Sequence, residues 1–372
     1  MILRRNGRGL FALGMYELPR DASEWKQWSE AGINLVRCGS REELDTAWDH
    51  GMFAWVPVPL IIRTNEDEAK LRDRINELKD HPAIAVWEGP DEAVWFASRL
   101  KPGTPTRMWI QDDDTVAKVG KNLDDLVRGY ERGSQIIREL DPNRAIWQNE
   151  SGSNQSALAR IMPYVDAIGF DGYPVPGRVE KPLQHLYGDT TRYRAMAPTK
   201  DIWIVQQAFA WANLGDAYAN QPVVYPTVEQ SRFMAWSAIA AGATGINWWG
   251  SHSTPRPSPF LDDLMTVVRE LSQLHDFLDG GEVISVRSWV DGRAYPATQL
   301  GVRHLCRRAG NRTMFALINL DPFRQDVVVS GIDWIDVADM EPIVEPKGMS
   351  KQTHDGWITD MQPYEVRVYV SR

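Results

Sequence analysis

Short apolar runs alternate with longer stretches of helical periodicity from the start of the chain to about residue 280. Runs of this length, bounded by turn residues, are consistent with buried strands. Eight such runs are predicted as strands: Gly9–Tyr16, Gly32–Cys38, Phe53–Leu60, Ala83–Trp87, Arg144–Gln148, Val165–Phe170, Asp201–Gln206 and Gly245–Trp249.

Most of the segments between these runs carry apolar residues at helical spacing. The predicted helices are Ser23–Glu30, Glu42–His50, Glu66–Lys79, Leu123–Leu140, Thr227–Ala241 and Phe260–Asp279. Thr227 with Gln230 three residues on is typical of a helix start, and Gly280-Gly281 is typical of a helix end. Lys101–Val119, with Pro, Gly and three consecutive Asp, is predicted as an insertion.

Eight strands alternating with helices predict a (β/α)₈ barrel over residues 1–280. An open doubly wound sheet is disfavoured because no Gly-rich phosphate loop follows the first strand. After Gly281 the runs become short, β-rich and separated by turn residues, for example Thr313–Leu320 and Glu365–Val370. This pattern predicts a small antiparallel β-sandwich over residues 281–372, which would support the barrel.

Composition excludes some partners. The net charge is −9, and no basic stretch is interleaved with aromatic residues, so we expect no nucleic acid partner. No run of 18 or more apolar residues is present, so we expect no membrane span. The 16 tryptophans suit either a Trp-rich core or a sugar-binding cleft, because flat rings pack well on sugar C–H faces.

Several further expectations concern redox state, location and cofactors. Cys38 and Cys306 fall in different predicted domains, so a structural disulfide is disfavoured. The N-terminus has no apolar stretch long enough for a signal peptide, which predicts a cytoplasmic protein, or a secreted or periplasmic one whose leader has been removed. No spacing of His, Cys and Asp suggests a metal, and we expect no cofactor. The sequence leaves the oligomeric state open.

Candidate chemistry is concentrated just after the fourth strand. Active sites of such barrels lie at the carboxyl ends of the strands, so polar residues at those ends are the candidates. Glu88, Asp91 and Glu92 crowd together in the segment WEGPDEAVW. Mutual repulsion and a Trp-lined setting would raise a carboxyl pKa, as a general acid requires. The alternative is a solvated acidic loop or a helix N-terminus.

This segment resembles the clan A glycoside hydrolases, whose fourth strand commonly ends with Trp, Glu, two small residues, Asn and the acid/base Glu. Trp87 to Glu92 match this order, with Asp91 in the place of Asn. The resemblance implies that Glu92 is the proton donor and that the substrate is a carbohydrate. It extends to other strand ends: Arg37 after strand two, Asp166 and Tyr173 around strand six, and Trp248 and Trp249 as an aromatic sugar platform after strand eight.

Strand seven departs from the clan pattern. It ends in Gln206 and Gln207, where the clan carries a nucleophilic Glu, and a neutral amide cannot attack an anomeric carbon as a carboxylate can. Three hypotheses remain. Asp171 or Glu150 is a second carboxylate acting as base or nucleophile; or the Asp91–Glu92 pair works as in hexosaminidases that use the substrate's 2-acetamido group; or the protein binds sugars without cleaving them.

The remaining candidates are groups that could position the substrate or residues with a structural role. The residues predicted to contact substrate are Tyr16 at the end of strand one, Arg37, Glu88, Tyr173 and Gln207. Strand alternation lets only one of Gln206 and Gln207 face the site. Asn149 could also bond a sugar hydroxyl. His252 lies in a loop where a structural role is favoured. Asp112–Asp114 is interpreted as a solvated loop rather than a cation site.

Overall fold

The computed structural model describes residues 3–98, 112–151, 155–176, 182–290, 301–332, 340–344 and 350–371. Eight parallel strands close into a barrel, in which the eighth strand pairs with both the seventh and the first. They are β1 Ala12–Met15, β2 Leu35–Arg37, β3 Phe53–Pro57, β4 Ile84–Glu88, β5 Ala145–Glu150, β6 Ala167–Gly172, β7 Asp201–Gln207 and β8 Gly245–Trp249. The (β/α)₈ prediction is confirmed.

Helices follow the strands and cover the outside of the barrel. In the described residues they are α1 Ala22–Ala31, α2 Arg41–Asp49, α3 Asn65–Leu78, α4 Ala93–Ala97, α5 Asp113–Leu140, α6 Gln155–Leu158, α7 His185–Met196, α8 Val228–Ala240, α9 Pro259–Ser272 and α10 His275–Leu278. Several begin at capping boxes, as at Ser40 with Glu43 and at Thr227 with Gln230.

Strand alternation sorts the tryptophans into two cores. Trp55, Trp147 and Trp203 point into the barrel, and the rings of Trp55 and Trp147 meet edge to face at 5.2 Å. Trp87 and Trp248 point outward and pack between strands and helices. The barrel interior is therefore filled, and much of the tryptophan content is structural.

The predictions for three helical segments need correction. α5 begins at Asp113 rather than near Leu123, because the Asp112 side chain accepts a hydrogen bond from Thr115 N and caps the helix. The three adjacent Asp therefore form a helix start and not a loop. α7 was not predicted, since its apolar positions do not form a clear stripe. The predicted helix Phe260–Asp279 is divided into α9 and α10.

The first strand is also shorter than predicted. Arg8–Gly9 pairs with Arg4–Arg5 in an N-terminal hairpin, so the barrel strand begins only at Ala12. The predicted insertion, Lys101–Val119, lies outside the described residues up to position 111. Its remaining residues cap and begin α5.

Two antiparallel sheets form the C-terminal part of the chain and confirm the predicted β-sandwich. Their strands are β9 Glu282–Val283, β10 Arg287–Val290, β11 Val302–Ala309, β12 Arg312–Asn319, β13 Gln325–Ser330, β14 Met340–Val344, β15 Ser350–Gln352, β16 Gly356–Met361 and β17 Val366–Ser371. One sheet has the order β9-β11-β12-β17-β14 and the other β10-β13-β16-β15. A domain boundary at residue 281 stays a prediction.

Two further observations bear on the chain as a whole. Cys38 and Cys306 are both buried and both free. Among the helices that the structure describes, none is long and apolar enough to cross a bilayer.

Close packing of α5 on the barrel gives a test of the fold. A Cβ added at Gly133 would lie 1.9 Å from the Leu60 carbonyl oxygen, whereas one added at Gly120 on the same helix would meet nothing within 4 Å. We expect Gly133→Ala to lower the free energy of unfolding by about 1–3 kcal/mol. Gly120→Ala, the matched control, should raise it by about 0.5–1 kcal/mol. Thermal unfolding of both variants measures this; equal midpoints would contradict the packing.

Candidate active site

A cavity of about 980 Å³ opens at the carboxyl ends of the barrel strands. Its described lining has two kinds of residue. Carboxylates come from the ends of β4 and β6 and from α7, and aromatic rings come from the ends of β1, β6, β7 and β8 and from α4. The carboxylates are Asp91, Glu92, Asp171 and Asp189; the rings are Tyr16, Trp95, Tyr173, Trp211, Tyr218 and Trp249.

Asn149, at the end of β5, joins two of these carboxylates. Its Nδ2 donates to Asp91 Oδ1 at 2.9 Å and to Asp171 Oδ1 at 2.7 Å. Because both oxygens lie this close to one nitrogen, they are no more than about 5.6 Å apart. The sequence pattern names all three residues, but it gives no indication that they share this bridge.

Burial and mutual repulsion change the proton affinity of this group. Burial, followed by the charge of Asp91, raises the pKa of Asp171 well above its usual range, while the Asn149 hydrogen bond opposes the shift. The pKa of Asp91, which is open to the cavity, is raised chiefly by partial desolvation. Because the neighbouring carboxyls repel one another, they titrate as a coupled set. A proton is therefore retained here at a pH where an isolated Asp has lost its own.

Glu92 occupies an unusual backbone position. It has φ +50°, in the left-handed region, and it is the residue from which α4 starts. Its backbone N–H donates to the Asn149 carbonyl at 3.2 Å. Glu92 therefore stands at a sharp turn between β4 and α4, with its side chain lining the cavity.

Glu150 lies behind this turn and not in the cavity lining. The carboxylate is buried and accepts hydrogen bonds from Val94 N at 2.9 Å, Trp95 N at 3.3 Å and Gln148 Nε2 at 3.1 Å. Burial raises the pKa of Glu150 to about 8, and the two backbone bonds oppose the shift. The hypothesis that Glu150 is a second carboxylate acting on substrate is therefore at odds with its position.

Only one tryptophan of the predicted platform reaches the cavity. Trp249 lines it and stacks on Tyr173, with ring centroids 5.5 Å apart and planes inclined by 24°. Trp248 is fully buried among the strands and helices outside the barrel. The prediction for Trp248 was wrong because consecutive strand residues face opposite sides of the sheet.

Gln207 also has a structural place. Its amide accepts from Val175 N at 3.0 Å and donates to the carbonyls of Val175 at 2.7 Å and Phe209 at 2.9 Å. It is fully buried and absent from the described lining. The prediction that Gln207 contacts substrate is thus corrected: the amide holds the loop that follows Tyr173.

Arg37 and Glu88 form an ion pair beside the cavity. The Arg37 Nε donates to Glu88 Oε2 at 2.6 Å, and Glu88 is fully buried. Burial raises the pKa of Glu88 to about 7, although Arg37 opposes the shift. Neither residue belongs to the described lining, in contrast to Tyr16, which was predicted as a contact and does line the cavity.

Glu17 and His252 form a pair that the sequence pattern does not indicate. Glu17 accepts hydrogen bonds from Gly250 N and Ser251 N, each at 3.0 Å, and approaches His252 Nδ1 at 3.0 Å. His252 lines the cavity, with its ring 5.6 Å from that of Trp249. The ends of β1 and β8 adjoin in a closed barrel, and that adjacency is the signal that could have paired Glu17 with His252.

Three aromatic contacts also escaped the sequence interpretation. Trp95, Trp211 and Tyr218 line the cavity but follow the ends of β4 and β7 by several residues, beyond the positions that the strand-end rule selects. In the described ranges, no group of three or more His, Cys, Asp and Glu is arranged to hold a metal ion.

No family profile matches this chain, and no curated protein matches it. Solved structures share its fold. The chain is similar over 98% of its length to a GH42 β-galactosidase from G. stearothermophilus, covering 98% of that chain with TM-score 0.61 and 11% identity. A glycoside hydrolase family 5 structure from Bacteroides vulgatus gives 99% and 90% coverage, TM-score 0.59 and 13% identity.

A third neighbour is a β-galactosidase from the psychrophilic Marinomonas ef1, with TM-score 0.51 and 15% identity. It is matched over 71% of this chain, which spans only 60% of that longer protein. The TM-scores show a shared fold of barrel and β-sheets, and at such low identities they show the fold alone. They leave activity to be argued from the site itself.

Proposed function

We propose that this protein is a glycoside hydrolase in which Glu92 is the general acid. The observation that carries the proposal is the convergence of Asp91, Glu92 and Asp171 on one aromatic-lined cavity at the carboxyl ends of the barrel strands. Glycoside hydrolysis needs two carboxyl groups flanking the scissile bond, and stacked rings beside them suit a sugar face. The solved structures with the same fold that are compared above are named as glycoside hydrolases, in agreement with this chemistry.

Asp171 is the better second carboxylate. It lines the cavity within hydrogen-bond reach of the Asn149 amide that also holds Asp91, whereas Glu150 faces α4. In the proposed reaction Glu92 gives its proton to the glycosidic oxygen as the C–O bond breaks. Asp171 either attacks the anomeric carbon or takes a proton from the attacking water.

Substrate assistance is a second candidate, and one observation favours it. Both glutamines at the end of β7 are buried, and neither belongs to the described lining, so β7 offers no nucleophile. Asp91 follows β4 directly before Glu92 and is held by Asn149. If the substrate carries a 2-acetamido group, Asp91 would orient that group. The acetamido carbonyl oxygen would then attack the anomeric carbon in place of a protein carboxylate.

A panel of aryl glycosides with 2-hydroxy and 2-acetamido sugars, β-galactosides included, tests these alternatives. Wild type is assayed beside Asp171→Asn, Asp91→Asn and Asp125→Asn, the last a control on the outer face of α5. Cleavage of 2-hydroxy sugars that is lost with Asp171→Asn supports the first candidate. Cleavage confined to 2-acetamido sugars and lost with Asp91→Asn supports the second. Binding without cleavage would indicate a sugar-binding protein and overturn both.

Trp249 supplies a further test of the cavity as a sugar site. We expect Trp249→Ala to raise KM about 2–10-fold, since loss of one aromatic contact removes about 0.5–1.5 kcal/mol of binding. The unfolding midpoint should also fall, because the ring packs on Tyr173 and Phe209, but the variant is expected to stay folded at the assay temperature. Steady-state kinetics and thermal unfolding measure the two effects; an unchanged KM would count against Trp249 as a platform.

A further inference from the structure

The loop that carries Glu92 is fastened to one strand at successive points. Gly89 N donates to the Trp147 carbonyl at 2.9 Å, and Gln148 Nε2 donates to the Pro90 carbonyl at 2.8 Å. Glu92 N then donates to the Asn149 carbonyl at 3.2 Å. Four consecutive residues at the end of β5, the last of them Glu150, thus hold the segment from Gly89 to Trp95.

Glu150 holds the far end of this segment. Its two carboxylate oxygens accept from the backbone N–H groups of Val94 and Trp95 in the first turn of α4, where N–H groups have no acceptor within the helix itself. These are the second and third residues after Glu92. A displacement of Glu150 would therefore release the turn that Glu92 forms.

The turn needs such support because of its backbone conformation. A non-glycine residue in the left-handed region is less stable by roughly 1–2 kcal/mol than one in the right-handed region. Glu92 adopts it at φ +50°. When the bonds to Val94 and Trp95 are lost, the turn is expected to relax, and the Glu92 carboxyl then leaves the position from which it can reach a leaving oxygen.

We infer that Glu150 is a positioning residue that aims the general acid Glu92, and not a group that touches substrate. The inference rests on the proposed function, since it gives Glu92 the role of acid. It explains why a carboxylate that the sequence offers as a nucleophile is buried behind the cavity wall. A positioning role makes a different kinetic prediction from a nucleophilic one.

Leaving-group dependence separates the two roles. Poor leaving groups depend on proton donation, whereas dinitrophenolate leaves without it. We expect Glu150→Gln to lower kcat on poor-leaving-group glycosides about 10–100-fold, a part of the 10²–10⁴ that general acid catalysis supplies. On dinitrophenyl glycosides the same variant should stay within about threefold of wild type. Glu270→Gln, which removes a buried carboxylate of α9 that is paired with Arg232 on α8, is the matched control.

Equal losses on both substrate types, together with azide rescue of Glu150→Ala on dinitrophenyl glycosides, would make Glu150 the nucleophile and overturn the inference. Equal losses accompanied by a lowered unfolding midpoint would make Glu150 a merely structural residue. That result would also overturn the inference. Hydrogen–deuterium exchange gives a readout free of activity: the Val94 and Trp95 amides should exchange faster in Glu150→Ala and not in Glu270→Gln. Unchanged exchange would also overturn the inference.

The two failures can be told apart. A wild type that cleaves no glycoside of the panel overturns the proposed function. The proposal that Glu150 positions a general acid then falls with it. Faster exchange at Val94 and Trp95 would then still establish that Glu150 anchors α4. An active wild type with a leaving-group profile unaffected by Glu150→Gln would instead overturn the positioning role alone.

Discussion

Replacing Glu92 by Gln is expected to lower kcat/KM for glycosides with poor leaving groups by about 10²–10⁴-fold. The amide has nearly the same shape as the carboxyl group but has no proton to give to the departing oxygen. Glu92 lines the cavity and starts α4 through its backbone, which the substitution leaves in place. The loss is therefore expected in catalysis and not in folding.

Activated substrates and unfolding temperature provide the controls for this experiment. A dinitrophenyl glycoside of the same sugar should be cleaved by Glu92→Gln at a rate far closer to wild type, because its leaving group needs no proton. The thermal midpoint should be unchanged. A normally folded Glu92→Gln protein with full activity on poor leaving groups would exclude Glu92 as the acid.

The barrel was predictable because each strand is a short apolar run and most of the crossovers have helical periodicity. The same physics located the carboxylates, since a closed parallel barrel brings the ends of β4, β5 and β6 to one mouth. Asp91, Glu92 and Asp171 were selected by this rule, and the structure places all three around one cavity. Position along a strand was therefore sufficient to bring these three to one mouth, but the same rule also selected Glu88 and Glu150, which are absent from the described lining.

Orientation at the strand ends was not predictable in the same way. Alternation does place Trp249 inward and Trp248 outward, but the exact parity depends on where each strand ends. Gln207 shows a second limit, because its inward-facing amide is taken by the backbone of Val175 and Phe209. Loop conformation decides which strand-end side chains form hydrogen bonds within the protein and which stay available to a ligand. Loop conformation has no periodic signal in the sequence.

The end of β5 shows how support and chemistry are combined. Asn149 presents its side chain to Asp91 and Asp171, while its carbonyl receives the backbone N–H of Glu92. One residue thus contacts Asp91, Glu92 and Asp171, three of the four carboxyl-bearing residues in the described lining. A strand is a more rigid support than a loop, so this arrangement can fix the spacing of groups that come from different crossovers.

Asp171→Asn is expected to lower kcat by about 10²–10⁴-fold. A neutral amide neither attacks an anomeric carbon nor accepts a proton from water. The loss should extend to dinitrophenyl glycosides, which distinguishes it from that of Glu92→Gln. Retention of most activity on 2-hydroxy sugars would transfer the second role to another group. Asp125→Asn, on the exposed face of α5, controls for a general effect of removing a carboxylate.

The pH profile of the wild type gives the same assignment an independent check. Asp171 must be ionised to act, and its pKa is raised, so activity should increase with pH through a midpoint well above the usual 3.8 of an aspartate. The charge of Asp91 is the second cause of that rise. Asp91→Asn should therefore move this acidic limb to lower pH. An acidic limb that stays in place in Asp91→Asn would mean that Asp171 does not set it, and that the base or nucleophile lies elsewhere.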